Sequence, residues 1–294
     1  LLVDDFSDIE KNKNLVNKEC AGKIDINSFI EWFLRNKERI NFVFHLGAKT
    51  DTTLDNKKIF DELNLNYTKE IWKVCAEQRI PLVYASSAST YGLGEHGYKD
   101  NHDIVSKLKP LNHYGISKNE FDKWAIQQEK APPYWVGLKF FNVYGPNEYH
   151  KGRMSSVVIN SFKQIKKDEK VTLFRSHNKK YRDGEQLRDF IYVKDVVDVC
   201  LYFLKKKLNS GIYNVGTGKA RTFYDLAKSV FVALEKDPIV DFIDTPLDIR
   251  DKYQYFTEAD ISKLRKVDYK RSFYSLEDGI KDYVQEYLIK GKYN

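Results

Sequence analysis

Tyr114 and Lys118 stand four residues apart in the string Asn112-His113-Tyr114-Gly115-Ile116-Ser117-Lys118. On a helix that spacing projects both side chains from one face, one turn apart. An ammonium so close favours the phenolate, so the tyrosine's pKa is expected to fall toward the range of a working acid/base. A solvated i,i+4 pair would explain the same spacing, since the chain holds 20 tyrosines. Its neighbours lift the pair above that reading. Upstream, Leu82-Val83-Tyr84-Ala85-Ser86-Ser87-Ala88 is an apolar run ending in hydroxyls; downstream, Leu138-Lys139-Phe140-Phe141-Asn142-Val143-Tyr144-Gly145-Pro146 is a second run ending at a polar turn. Strand, helix and strand in that order make a βαβ unit, and ligands gather at the carboxyl ends of such strands. Ser87 at a strand end can polarise an alcohol or carbonyl while Tyr114 moves the proton. Lys118 would hold the phenolate and reach a nicotinamide ribose, which is the apparatus for hydride transfer at a secondary alcohol.

The elements around this unit read as an α/β chain: a Rossmann-like, doubly wound parallel sheet with a smaller α/β substrate lobe. Residues 1–6 read as a buried strand ending in acid, like the second strand of a dinucleotide fold. No G-x-G-x-x-G string follows a strand at the start of the chain, where a dinucleotide fold carries it; the string at Gly92–Gly97 lies in the loop before Tyr114. The first strand and Gly-rich loop are therefore expected to be absent from this chain through truncation at its start, with poor cofactor binding as the consequence. Residues 40–48 form a short strand stopping at Gly47-Ala48, where small residues let a cofactor approach the backbone. Residues 59–78 carry helical periodicity, and residues 135–144 read as one strand. Beyond them come a charged loop at 147–153, a helix near 154–167 and a strand at 171–174. A charged loop at 177–185, a strand at 187–193, a helix at 195–204 and a strand at 211–215 follow. Helices are expected at 222–236, 258–266 and 275–289. The nucleotide domain is expected to take residues 1–141 plus about 190–217, and the substrate lobe about 142–189 plus 218–294.

Composition narrows the class. Hydrophobic residues at 42% and charged residues at 31% suit an ordinary globular protein. No apolar run approaches the roughly 18 residues of a membrane span, and Leu1-Leu2-Val3-Asp4-Asp5 does not read as a signal peptide. Cys20, Cys75 and Cys200 lack C-x-x-C spacing, which suits a reducing cytoplasm and argues against a metal site. The net charge of +7 suits an anionic ligand such as a nucleotide, or solubility alone. No basic stripe interleaved with aromatics points to nucleic acid.

The strings above, with Arg188-Asp189-Phe190-Ile191-Tyr192-Val193, resemble the extended short-chain dehydrogenase/reductases, most of which modify nucleotide sugars. In detail the chain is similar to the ADP-L-glycero-D-manno-heptose 6-epimerases. The similarity rests on His45-x-Gly47-Ala48, on Asn142-Val143-Tyr144-Gly145-Pro146-x-Glu148-x-His150-Lys151-Gly152 and on Tyr253-Gln254-x-Phe256-Thr257. The resemblance implies an isomerase that oxidises and re-reduces one carbon of an ADP-heptose for lipopolysaccharide precursor synthesis, assembled as a homo-oligomer in the cytoplasm. It implies Tyr114 and Lys151 as the two acid/base groups, assisted by Ser87 and Lys118. It implies Asn142, Arg153, Asn160, Phe174, Arg175, Ser176, His177, Arg188 and Tyr253, with Ser87, as substrate contacts. Arg188 would take the diphosphate, a salt bridge to Asp189 being its structural alternative. Asp4, Asp5, Lys11, Leu46, Gly47, Ala48, Asn64, Lys118, Val143 and Lys151 would meet the cofactor. A strand-end acid favours NAD and Lys11 favours a 2′-phosphate, so the residues point both ways; the resemblance implies NADP. Arg153 and Asn160 depart from the family's pattern. A UDP-hexose 4-epimerase on the same scaffold, or a non-catalytic cofactor-binding relative, are the alternatives.

Overall fold

Polar side chains set where the main helices begin. In the computed structural model, which describes residues 1–206, 209–250 and 253–294, Asn112, Ser156, Thr222 and Ser275 each accept from a backbone N–H three residues on. They start the helices His113–Ala125, Val157–Asp168, Phe223–Ala233 and Leu276–Tyr283. Thr222 and Asp225 bond reciprocally as a capping box. The strands among the described residues are β1 (Leu2–Asp4), β2 (Lys23–Asp25), β3 (Val43–His45), β4 (Leu82–Ser87), β5 (Trp135–Phe140), β6 (Asn142–Tyr144), β7 (Val171–Phe174), β8 (Leu187–Arg188), β9 (Phe190–Tyr192), β10 (Gly211–Val215), β11 (Arg221–Thr222) and β12 (Val240–Ile243).

Two compact units divide the chain. The first holds Leu1–Gly92, Asp100–Lys139 and Cys200–Tyr213. Its main sheet runs β10-β5-β4-β3, with β3 parallel to β4, while β1 and β2 form a separate parallel pair. Every residue of β4 is buried, as expected of a strand covered on both faces rather than one. The covering layer is aromatic: Trp72 packs 5.1 Å from Trp135, and Tyr84 meets Phe121 edge-on at 4.8 Å. The layout fits a Rossmann-like α/β fold.

The second unit holds Leu93–Lys99, Phe140–Val199 and Asn214–Asn294. Three two-stranded sheets lie in it: β6 parallel to β9, β7 parallel to β12, and β8 antiparallel to β11. Helices Val157–Asp168, Phe223–Ala233 and Leu276–Tyr283 bury Val158, Ile159, Leu226, Val230, Phe231 and Ile280 in one core.

Several boundaries differ from the sequence reading. The run 135–144 is two strands, because the backbone changes partner at Phe141. Phe141 N donates to Val215 O (3.0 Å), and Asn142 N to Asp189 O (3.0 Å). That switch carries residues 190–199 and 214–217 into the second unit. The helix at 59–78 is continuous but widens into a π-helical stretch over Asp61–Asn66, where Asn64 is buried. Residues Tyr149–Met154 form a tight turn, so the next helix starts only at Val157. Ordered helix in the 258–266 segment is confined to Ser262–Lys266. Strand β2 and the helix Ile26–Asn36 behind it were not read from the sequence.

Candidate active site

Ser87 ends β4 with its hydroxyl at the turn that follows. Its Oγ accepts from Ser89 N (3.1 Å), and Thr90 Oγ1 donates to its carbonyl (2.7 Å). The helix bearing Tyr114 comes very close to this turn. A Cβ added at Gly115 would lie 2.8 Å from Ser89 O, so only glycine fits between tyrosine and lysine there. The Ser87 side chain lies close enough to the Tyr114 phenol to pull its pKa down.

Lys118 behaves differently from its expected role. It is only 5% exposed, and its Nζ donates to Ala85 O (2.9 Å), the carbonyl two residues before Ser87. Burial pushes its pKa down to about 8, with Asp122 pulling the other way. The Tyr114 phenol is correspondingly raised, not lowered: burial dominates, Ser87 opposes it, and Asp122 adds to it. The expected drop fails because the helix face is turned inward, where burial outweighs a neighbour that is itself only weakly held as a cation. Lys118 should therefore tie stability to pH. The folded state gives up the proton near pH 8 and the unfolded chain near 10.5, so burial of this lysine costs stability below 8 and that cost is relieved as pH rises through the window. Urea denaturation across that range should show the rise, and Lys118→Met should lose it; equal slopes in the two proteins would contradict the assignment.

Behind the pair lies a fully buried ion pair. Lys139 Nζ sits 2.7 Å from Asp122 Oδ2, with side chains 1% and 0% exposed. Asp122 also accepts from Tyr84 Oη (3.0 Å) and Ser86 Oγ (2.6 Å), and Lys139 donates to Thr90 Oγ1 (2.6 Å). The network thus binds the helix, the end of β4 and the turn carrying Ser87.

Of the residues expected to meet a cofactor, Asp4, Asp5, Leu46, Gly47 and Ala48 fall at the ends of β1 and β3. Lys11 Nζ lies 2.8 Å from Asp4 Oδ1, so the acid and the lysine that pointed opposite ways are paired with each other. Asp5 is held low by Ser7. Leu46 and Gly47 are exposed, and a Cβ at Gly47 would meet open space. Asn64 does not offer its amide outward. It accepts from Lys49 N (2.8 Å) and donates to Lys49 O (2.9 Å) and Ser117 Oγ (3.1 Å). It fastens the loop after Gly47-Ala48 to the Tyr114 helix.

In the second unit a cavity of about 580 Å³ gathers Asn142, Val143, Lys151, Asn160, Phe174, Arg188 and Tyr253. Val143, expected at the cofactor, lies here. Arg188 is buried, its guanidinium 5.5 Å from the Phe223 ring and 5.3 Å from the Tyr253 ring. It donates to Leu187 O (2.9 Å) and to Gln254 O. Asp189 is committed elsewhere, accepting from Thr217 N and Oγ1 (both 2.7 Å), Gly218 N (2.9 Å) and Ala259 N (3.0 Å). The alternative salt bridge is therefore not made, and no carboxylate pairs with Arg188 among the described residues. A buried cation held only by carbonyls and ring faces is suited to an anionic ligand.

Five expected contacts, Ser87, Arg153, Arg175, Ser176 and His177, are not among the cavity's lining. Arg153 is exposed on its turn. Past Phe174 the chain leaves β7 and its polar groups turn to loop partners. Arg175 N donates to Ile243 O (2.7 Å), Ser176 Oγ to Asn178 O (2.8 Å), and His177 Nε2 accepts from Thr245 N (3.3 Å). Lining residues that the sequence reading missed include Gln164, Thr172, Gln186 and Phe223. Thr172 alternates with Phe174 along β7, a period-2 signal that was available; the others required the packing.

A model of the NAD dependent epimerase/dehydratase family matches residues 6–216. The chain belongs to that family. Among its relatives, the ADP-L-glycero-D-manno-heptose-6-epimerase of Fusobacterium nucleatum is 47% identical over 300 residues, covering 99% of this chain and 90% of that protein. The crystal structure of the Helicobacter pylori ADP-L-glycero-D-manno-heptose-6-epimerase is 29% identical with a TM-score of 0.75, covering 94% of this chain and 81% of that one. A Thermus thermophilus UDP-glucose 4-epimerase solved with NAD shares the fold at 22% identity and a TM-score of 0.72, covering 97% of each chain. The family's cofactor is a nicotinamide nucleotide. The open backbone at Gly47 and the Ser87–Tyr114 pair of this epimerase-family chain fit such a group.

Proposed function

We infer that the protein is a nucleotide-sugar epimerase that inverts C6″ of ADP-D-glycero-D-manno-heptose to give the L-glycero-D-manno epimer. The observation that carries this is the second unit's cavity, where buried Arg188, paired with no carboxylate among the described residues, lies with Asn142 and Lys151, in a chain 47% identical to the Fusobacterium nucleatum heptose epimerase. Inversion requires the carbon to become planar and to be reduced again from its other face. When bound, a nicotinamide nucleotide supplies that reversible two-electron oxidation. Ser87 hydrogen-bonds the reacting oxygen, and Tyr114 takes up or returns its proton. Lys118, anchored on Ala85 O, holds a positive charge one helical turn from Tyr114. Lys151 serves as the second acid/base group, needed because the substrate must present the carbon in two ways. Arg188 holds the diphosphate between two ring faces, and Asn142 orients the sugar.

For the cofactor we propose NADP. The 2.8 Å pair between Lys11 and Asp4 neutralises the acid that would otherwise repel a 2′-phosphate. The experiment is incubation with ADP-D-glycero-D-manno-heptose in the presence of NADP or NAD, followed by NMR at C6″. Conversion to a mixture of the two epimers, faster with NADP, is expected. Turnover of UDP-hexoses instead would overturn the substrate, and faster turnover with NAD would overturn the cofactor.

A further inference from the structure

Lys151 is exposed on the turn Tyr149–Met154, and a lysine has four rotatable bonds with which to miss its target. Something must hold that turn. Glu148 lies immediately before it and is only 6% exposed. Its Oε2 accepts from Ser156 N (2.6 Å), and its Oε1 from Ser156 Oγ (2.6 Å) and Tyr283 Oη (3.0 Å). Lys151 N donates to the Glu148 carbonyl (3.1 Å). One residue thus holds the segment on both sides of Lys151, by backbone at the near end and by carboxylate at the far end. Ser156 is also the N-cap of the helix Val157–Asp168, so the carboxylate sits at a helix start, where negative charge is favoured. Between the anchors the chain reverses at Gly152, whose φ of +52° suits glycine, and Ser155 Oγ donates to Gly152 O (2.6 Å).

Glu148 lines the cavity, yet its carboxylate is engaged by three neutral donors, and no cation pairs with it among the described residues. That makes it a poor direct acid/base and a good clamp. We propose that Glu148 is the positioning residue for Lys151, acting by closing the segment 149–156 with a carboxylate latch to Ser156 and Tyr283. The proposal rests on the reading of Lys151 as the second acid/base group.

A double-mutant cycle tests it, using kcat by NMR at C6″ with unfolding curves as a check on folding. Glu148→Gln should lower kcat by roughly 10- to 100-fold, with KM for the sugar nucleotide changed far less, since displacing a catalytic group by about 1 Å carries a cost of that size. In a Lys151→Ala background the same change should cost less than about 2-fold, because the group it positions is gone. Should Glu148→Gln fold poorly, Tyr283→Phe removes one donor from the latch and should show a smaller loss with the same disappearance. Losses equal in the two backgrounds, or no loss at all, overturn the proposal while leaving the Lys151 reading intact. An unchanged kcat in Lys151→Ala alone overturns that reading and the proposal with it.

Discussion

Tyr114→Phe is expected to lower kcat by roughly 10²- to 10⁴-fold, the range carried by a positioned acid/base group. The change removes only the phenol oxygen. The ring remains, Lys118 keeps its bond to Ala85 O, and Gly115 keeps its close approach to Ser89. KM for the sugar nucleotide should therefore move little, because Arg188, proposed to bind the diphosphate, belongs to a different set of contacts. Steady-state kinetics with the NMR readout at C6″ decides it; a kcat within a few-fold of the native protein would remove Tyr114 from the chemistry. Burial raises the phenol's pKa against the opposing pull of Ser87, so it is protonated at neutral pH. It can therefore donate to an oxygen being reduced without first acquiring a proton from solvent.

The largest expected effect on stability comes from Lys139→Met. The native pair is fully buried, and removing the cation leaves Asp122 hydrogen-bonded, among the described residues, to the hydroxyls of Tyr84 and Ser86. Breaking a buried pair by deleting one partner costs about 3–5 kcal/mol, because the remaining charge is stranded in the core. Urea denaturation should show that loss. A change below about 1 kcal/mol would mean that the pair does not hold the core together. Since Thr90 also loses its donor, and Thr90 holds the Ser87 carbonyl, activity should fall in protein that remains folded.

Comparison of these residues shows where local pattern sufficed. Tyr114, Lys118 and Ser87 were legible because a βαβ unit places a strand end beside the next helix whatever else the chain does. The Asn142 strand end and the Lys151 turn were legible as strings. The helix starts were legible in Asn112, Ser156, Thr222 and Ser275, whose capping bonds span three residues.

What spacing could not supply was environment. The same i,i+4 pair lowers a phenol's pKa on an exposed helix, but Tyr114 is raised once its face is buried and Lys118 turns to Ala85. Charge signs near Asp4 and Lys11 read as opposing specificities along the chain and proved to be an ion pair. Arg188 and Asp189 are adjacent in sequence yet serve separate partners, because successive strand residues point to opposite sides. Glu148, Ser156 and Tyr283 are drawn together across 135 residues of chain, a distance over which no local pattern operates. Local periodicity and hydroxyl placement thus decided which residues could do chemistry. Long-range packing alone decided which of them are charged, which are held and which face a ligand.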